Sequence, residues 1–347
     1  MVNSGADIAA GRFAHHGGRL CVARLLFPDV PQPWIDLSTG INPHSYPAPR
    51  ASSRERNRLP EPTELARLEE VAATAFDVSD PVRVVATGST ENALRLLPYV
   101  LQLKQAVVAS PTYGSHADAW KQAGAEVCTV ADSELLANAT TACAMTVVTP
   151  NNPNGRLLAR EQLLSLHDAL NRNGGALIVD EAFGDLEPQH CVGDIAGIDA
   201  APRMIVLRSF GKFYGLAGVR LGFVIASPAI ATRLRQLLGD WPVSVDAIRA
   251  GLAAYADHEW AQRMRLRLSK TAQRLDSLLV GSGMEIAGGT SLYRLARAPN
   301  ARARFTQLIS HGVLVRPFEY DATLLRFGLP KSGNDWRRLA KALKERP

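Results

Sequence analysis

The stretch SFGKFYGLAGVRLG, residues 209–222, sets one lysine, Lys212, among small residues, aromatics and glycines. A lysine on a solvated face has charged neighbours; here the nearest downstream charge is Arg220, eight residues on. Desolvation and a nearby cation make a lysine amine a nucleophile toward carbonyls. Other polar groups stand at comparable places. Asp180 closes the apolar run ALIVD and needs a positive or protonated partner, either an arginine or a ring nitrogen. Tyr113 in PTYG suits ordinary packing or stacking on a flat ring. Asn152 in PNNPNG reads as a turn residue or a donor. In TGSTEN, Ser89 and Thr90 open a helix, as a plain N-cap or as a phosphate cup. No G-K-[ST] follows, so this is not a P-loop.

The elements that must carry these residues alternate. Short apolar runs at 82–87, 106–110, 126–130, 145–149, 176–180, 204–208 and 221–226 read as strands buried on both faces. Helical patterns lie between several of them, at 90–103, 115–123 and 160–173. That order predicts an α/β fold with a mostly parallel seven-stranded sheet between helices. Residues 28–62 are rich in proline and turn formers and read as an irregular arm. From about 230 a long helical region, broken near GDWP, precedes short strands at 290–295, 312–317 and 323–328. Helices at 300–311 and 333–345 complete a smaller α+β domain. The expected divisions are 1–62 (N-terminal arm contributing to the active site), 63–240 (large domain) and 241–347 (small C-terminal domain).

In open α/β sheets ligands bind beyond the carboxyl ends of the strands. Five strand ends here offer polar or aromatic groups: GST, PTYG, PNNPNG, Asp180 and SFGK. The set fits pyridoxal 5'-phosphate. That cofactor needs an amine for its aldehyde, an acid for its ring nitrogen, a stacking surface and a phosphate cup. Lys212, Asp180, Tyr113 and the group Ser89, Thr90, Ser209 and Arg220 supply them in turn, and Asn152 can donate to the phenolic oxygen. Lys212 and Asp180 are the expected catalytic pair.

With these residues in place, the chain resembles the fold-type I pyridoxal-phosphate enzymes, the aspartate aminotransferase superfamily. The matching stretches are PNNPNG (150–155), VDEAF (179–183), SFGKFYGLAGVRLG (209–222) and LLRFGLP (324–330), in family order. The resemblance implies that Arg326 binds a substrate α-carboxylate, and that the protein is a homodimer. Within the superfamily, HHGGRL (15–20) followed by WIDLSTGINPHSYP (34–47) resembles the threonine-phosphate decarboxylase family of cobalamin biosynthesis, cousins of histidinol-phosphate aminotransferases. This implies a carbon–carbon lyase that decarboxylates L-threonine O-3-phosphate to (R)-1-amino-2-propanol O-2-phosphate. The turns carrying His16, Gly40 and Asn42 would then cover the substrate, with Asn152 beside it. His16 and Arg316 would be candidate ligands of its phosphate; for His16 a loop residue that binds nothing is the plainer alternative. A transaminase acting through the same residues is the competing activity.

Two positions depart from the superfamily pattern. Phe183 stands where a tyrosine commonly donates to the cofactor, and Leu59 stands where many relatives place another tyrosine. Neither change removes the lysine, the aspartate or the arginines. A sensor relative would carry a DNA-binding domain, and no segment of the 347 residues reads as one.

The net charge of +6 allows three readings: nucleic-acid binding, an unremarkable surface, or a cleft for anions. The arginines of 233–274 are interleaved with Leu, Ala and Gln, which suits a solvated helix face, and no nucleic-acid motif is present. No apolar run reaches about 18 residues, so no membrane span is expected. The opening MVNSGADIAAGRFAHHGG lacks a secretory pattern, and a cytoplasmic protein is expected. The four scattered cysteines read as buried free thiols, with no metal site.

Overall fold

The computed structural model describes residues 11–345; residues 1–10, which open the expected arm and the stretch inspected for a secretory signal, and 346–347 lie outside the described residues. Two compact units are present: Ser45–Ala261, and the described residues up to His44 together with those from Gln262 onward.

The unit Ser45–Ala261 contains the seven-stranded sheet. Its strands are β1 (Val84–Thr87), β2 (Gln105–Ala109), β3 (Glu126–Val130), β4 (Ala144–Val148), β5 (Ala176–Glu181), β6 (Met204–Ser209) and β7 (Gly222–Ile225). The spatial order is β1-β7-β6-β5-β4-β2-β3. β7 runs antiparallel to both of its neighbours, and the other pairings are parallel. Central strands are buried along their whole length, as continuous Val, Ile, Leu and Ala runs require when both faces are covered. β3 departs from that expectation. It is the sheet edge, and Glu126, Cys128 and Thr129 face solvent, which suits a polar, charged edge strand.

Helices α1 (Pro62–Ala75), α2 (Thr90–Leu101), α3 (Ser115–Gln122) and α4 (Arg160–Asn171) belong to this unit. The Ser89 Oγ caps α2 by accepting from the Asn92 backbone N–H at 3.1 Å. Ala93, Leu97 and Leu101, four residues apart, form its buried stripe with Leu94. That stripe packs in a core with Val85, Val108, Ile178, Ile205, Leu207 and Val224. Each such leucine contributes roughly 1.5–3 kcal/mol on burial. Leu97→Ala would leave a cavity and cost about 2–5 kcal/mol. The packing fixes where the amino end of α2 stands relative to the sheet rim.

In the other unit, β8 (Glu285–Thr290), β9 (Tyr293–Arg297), β10 (Arg316–Pro317) and β11 (Leu324–Gly328) form an antiparallel sheet of order β10-β11-β9-β8. β8 lies outside the strands expected from sequence, because its run EIAGGT offers two glycines and little apolar signal. The segment 28–62 is not wholly irregular: Ile35–Asp36 pairs in parallel with Val313–Leu314, and Ser53–Arg56 forms a capped turn of helix. The long helical region resolves into Pro228–Leu238, Val245–Ala256 and His258–Gly281. All four cysteines are free, but none is fully buried as expected: Cys21 and Cys128 are exposed, the latter through its edge-strand position, and Cys143 and Cys191 are half-buried. Among the described residues, no helix is long and apolar enough to cross a membrane, and no cluster of His, Cys, Asp and Glu could hold a metal ion.

Candidate active site

Pairing register brings the predicted residues of the unit Ser45–Ala261 to one rim of the sheet. Ser209, the last residue of β6, is the register partner of Gly222, the first of β7. Gly222 in turn pairs with Thr87, the last residue of β1, two residues before Ser89. Asp180 pairs with Leu207 in β6 and with Val148, the last residue of β4. The backbone approach at Gly222 is close. A Cβ there would stand 2.4 Å from the Thr90 nitrogen and 2.8 Å from the Ser89 carbonyl carbon. Only glycine lets β7 and the start of α2 meet, which sets Ser209 beside the amino end of a twelve-residue helix.

Asp180 is 3% exposed. Its Oδ1 accepts from the Ala182 backbone N–H at 2.8 Å, and its Oδ2 accepts from His116 Nε2 at 2.8 Å. A carboxylate so held is a fixed acceptor with lone pairs left for a protonated ring nitrogen. His116, on α3, went unnoticed in the sequence; the signal available was a histidine three residues after Tyr113, on a helix that opens beyond a strand end. The Tyr113 ring meets the His116 ring edge-on at 6.0 Å, and its hydroxyl donates to Glu91 Oε2 at 3.1 Å.

Lys212 lies in the single helical turn Phe210–Phe213 and is half-buried, its Nζ 6.0 Å from the centre of the Phe183 ring. The turn is braced by aromatics. Tyr214 stacks on Phe210 at 4.9 Å and on Trp260 at 5.5 Å. The Tyr46 backbone N–H donates to the Tyr214 carbonyl at 2.9 Å. Arg220 adopts a left-handed backbone (φ 58°), and its exposed side chain donates to the Ala217 carbonyl at 3.2 Å. The Thr90 hydroxyl is directed at the Arg208 carbonyl at 3.0 Å, tying α2 to β6. The Ser89 hydroxyl, besides capping, donates to Asn92 Oδ1 at 3.0 Å. In the PNNPNG loop the buried neighbour Asn151 is the strut, donating to the Pro111 carbonyl and to Asn154 while accepting from Thr112. Half-buried Asn152 is carried on that strut.

The remaining predicted residues lie in the other unit. Arg316 and Arg326 are register partners across β10 and β11. Arg326 is 3% exposed, lies over the Tyr293 ring at 5.0 Å, and donates through Nη2 to the Ser38 carbonyl at 2.7 Å. Burial, and then the like charge of Arg316, push the Arg326 guanidinium down to about 9. Arg316 donates to the His15 carbonyl at 3.1 Å, which ties it to the turn carrying His16. That turn is seated on Ser38: the Gly18 N–H donates to Ser38 Oγ at 2.8 Å, and a Cβ on Gly17 would stand 2.3 Å from the Ser38 oxygen. Gly40 and Asn42 are buried, and Asn42 Oδ1 accepts from the His44 N–H at 2.8 Å, fixing the turn. Two like charges directly opposed in a sheet are destabilising unless an anion meets them.

A mixed, mostly parallel seven-stranded sheet whose rim carries a lysine, a buried aspartate and a helix amino end defines a large class of enzymes. The model of the family described as aminotransferase class I and II matches residues 32–343. The chain belongs to that family. It is 38% identical over 329 residues to threonine-phosphate decarboxylase of Pseudomonas aeruginosa, covering 94% of this chain and 96% of that protein. It is 25% identical over 307 residues to histidinol-phosphate aminotransferase of Rhodopirellula baltica, covering 84% and 83%. Its fold matches the crystal structure of histidinol-phosphate aminotransferase from Sinorhizobium meliloti in complex with pyridoxal-5'-phosphate. There the TM-score is 0.82 at 21% identity, over 93% of this chain and 92% of that one.

Proposed function

We propose that the protein is a pyridoxal 5'-phosphate-dependent decarboxylase of L-threonine O-3-phosphate, releasing (R)-1-amino-2-propanol O-2-phosphate for cobalamin synthesis. The observation that carries the choice of substrate is the arginine pair. Arg316 and Arg326 face each other in register, one of them buried. A single substrate bearing both an α-carboxylate and a phosphate offsets both charges at once; histidinol phosphate has no carboxylate, so a transaminase would meet Arg326 only through its keto-acid partner. The relative at 38% identity and near-complete mutual coverage supports the same reading.

The donor set fits the cofactor. Ser209 and the amino end of α2, with Ser89 and Arg220, would hold its phosphate; Asp180 would hold a proton at its ring nitrogen; Asn152 would donate to its phenolic oxygen; Tyr113 would cover its ring; and Lys212 would be the amine facing its aldehyde. When bound, pyridoxal 5'-phosphate supplies an electron-accepting ring that spreads negative charge from the substrate Cα. His116 fixes the Asp180 carboxylate, so that acceptor does not wander into solvent. Arg326 grips the substrate carboxylate in the two-pronged way a guanidinium allows, and Arg316 with His16 meets its phosphate. Gly40 and Asn42 shape the turn over the substrate. Held at both anionic ends, the substrate has its Cα–carboxylate bond fixed in orientation, and positioning decides which bond breaks. The Lys212 amine is the base that a transaminase would apply to the Cα proton. We place the protein in the cytoplasm as a homodimer.

The test is product analysis. Protein loaded with pyridoxal 5'-phosphate and given L-threonine O-3-phosphate is expected to release carbon dioxide and the phosphorylated amino alcohol. Keto-acid-dependent amino transfer from histidinol phosphate, with no carbon dioxide from threonine phosphate, would establish the transaminase instead.

A further inference from the structure

Strand alternation puts Glu181 and Arg208 on the opposite sheet face from Asp180 and Ser209, because Glu181 pairs with Arg208 while Asp180 pairs with Leu207. Arg208 is an arginine inside the apolar run MIVLRS and is fully enclosed. Its Nη1 donates to Glu181 Oε2 at 3.0 Å, and its Nη2 donates to Asp185 Oδ1 at 2.5 Å. Glu181 Oε1 accepts from the Val192 N–H at 2.7 Å, and the Arg208 guanidinium lies 4.6 Å from the Phe76 ring centre. Gly184 makes room for the cluster; a Cβ there would stand 2.9 Å from Arg208 Nη1. The Arg208 carbonyl, meanwhile, accepts the Thr90 hydroxyl.

A buried ion pair is a poor source of stability, since desolvation consumes most of the Coulombic gain. A fork of fixed geometry is, however, a good source of position. Two members adjoin residues assigned above to the cofactor: Glu181 follows Asp180 and Arg208 precedes Ser209, while Asp185 holds the other arm of the Arg208 fork and the Thr90 hydroxyl hangs from the Arg208 carbonyl. We infer that Arg208, Glu181 and Asp185 form a positioning cluster that fixes the spacing between the ring-nitrogen acid and the phosphate cup from behind the sheet. This rests on the proposed cofactor assignment. Arg208 touches no reacting atom; it acts through its neighbours.

The test compares Glu181→Gln, Asp185→Asn and Arg208→Lys with Leu163→Ala, a core truncation on α4 in the same unit. Read-outs are the melting temperature of each cofactor-free protein, the dissociation constant for pyridoxal 5'-phosphate, and the pH midpoint of its visible band. The cluster variants are expected to bind the cofactor about tenfold or more weakly and to shift the midpoint. Leu163→Ala should lower the melting temperature with neither change. Where Arg208→Lys does not fold, the isosteric Glu181→Gln decides. Cluster variants with wild-type affinity and midpoint, or a Leu163→Ala protein shifted equally, would overturn the inference. A wild-type protein without any visible band would instead sink the cofactor assignment itself.

Discussion

His116 Nε2 stands 2.8 Å from Asp180 Oδ2, with both side chains buried. The pair joins α3 to β5 and leaves Asp180 one side-chain donor and one backbone donor. His116→Ala removes the side-chain donor from a buried carboxylate, a loss of about 1.5–3 kcal/mol for a hydrogen bond to a charged group. The expected outcome is a fall in kcat/KM of about 10- to 100-fold with the cofactor still attached, checked by steady-state kinetics and visible absorbance. Unchanged kcat/KM would mean that Asp180 needs no such support.

Gly17 should govern substrate affinity. Its missing Cβ lets the His-Gly-Gly turn sit on the Ser38 carbonyl that accepts from Arg326. Gly17→Ala must displace that carbonyl, and Arg326 with it. KM for the substrate should rise about tenfold while kcat changes less, as when an interaction common to bound and reacting states is lost. A kcat loss at constant KM would place the effect elsewhere.

Arg326→Lys keeps a cation but not the fork. KM should rise by at least about tenfold, since a lysine cannot grip a carboxylate from two nitrogens. Steady-state kinetics with the phosphorylated amino acid check this, and an unchanged KM would remove Arg326 from the carboxylate site.

Much of the sheet was legible because continuous apolar runs mark strands covered on both faces, and Val84–Thr87 through Gly222–Ile225 match them closely. β3 misled because an edge strand can still read as EVCTV, its exposure being set by which neighbour is missing. β8 was illegible for the opposite reason: glycines carry no hydrophobic period. The rim residues were visible because each lies at, or a few residues beyond, the carboxyl end of a strand. His116 and Arg208 were not, since they act through partners 64 and 27 residues away that only the fold supplies; the His-Gly-Gly turn was visible, but its seat on Ser38 was not.

Acid should loosen the segment before α1. Hydrogen bonds from Ser52 and then Arg249 hold the Glu55 carboxyl down to about 2, and Arg56 holds Asp246 below its usual range. Carboxyls held low in the folded state contribute above their unfolded values, and that contribution is lost as pH falls. Hydrogen-exchange protection of residues 51–57 should therefore be full at neutral pH and decline between about pH 4.5 and about 2. Glu55→Gln should show part of that loss at neutral pH. Equal protection in variant and wild type would contradict it.

The most direct measurement is covalent. Protein loaded with pyridoxal 5'-phosphate, reduced with borohydride and digested should carry the cofactor's mass on the peptide containing Lys212, with Lys212→Ala showing no labelled peptide and no visible band. A label on another lysine, or a Lys212→Ala protein that keeps the band, would contradict the account.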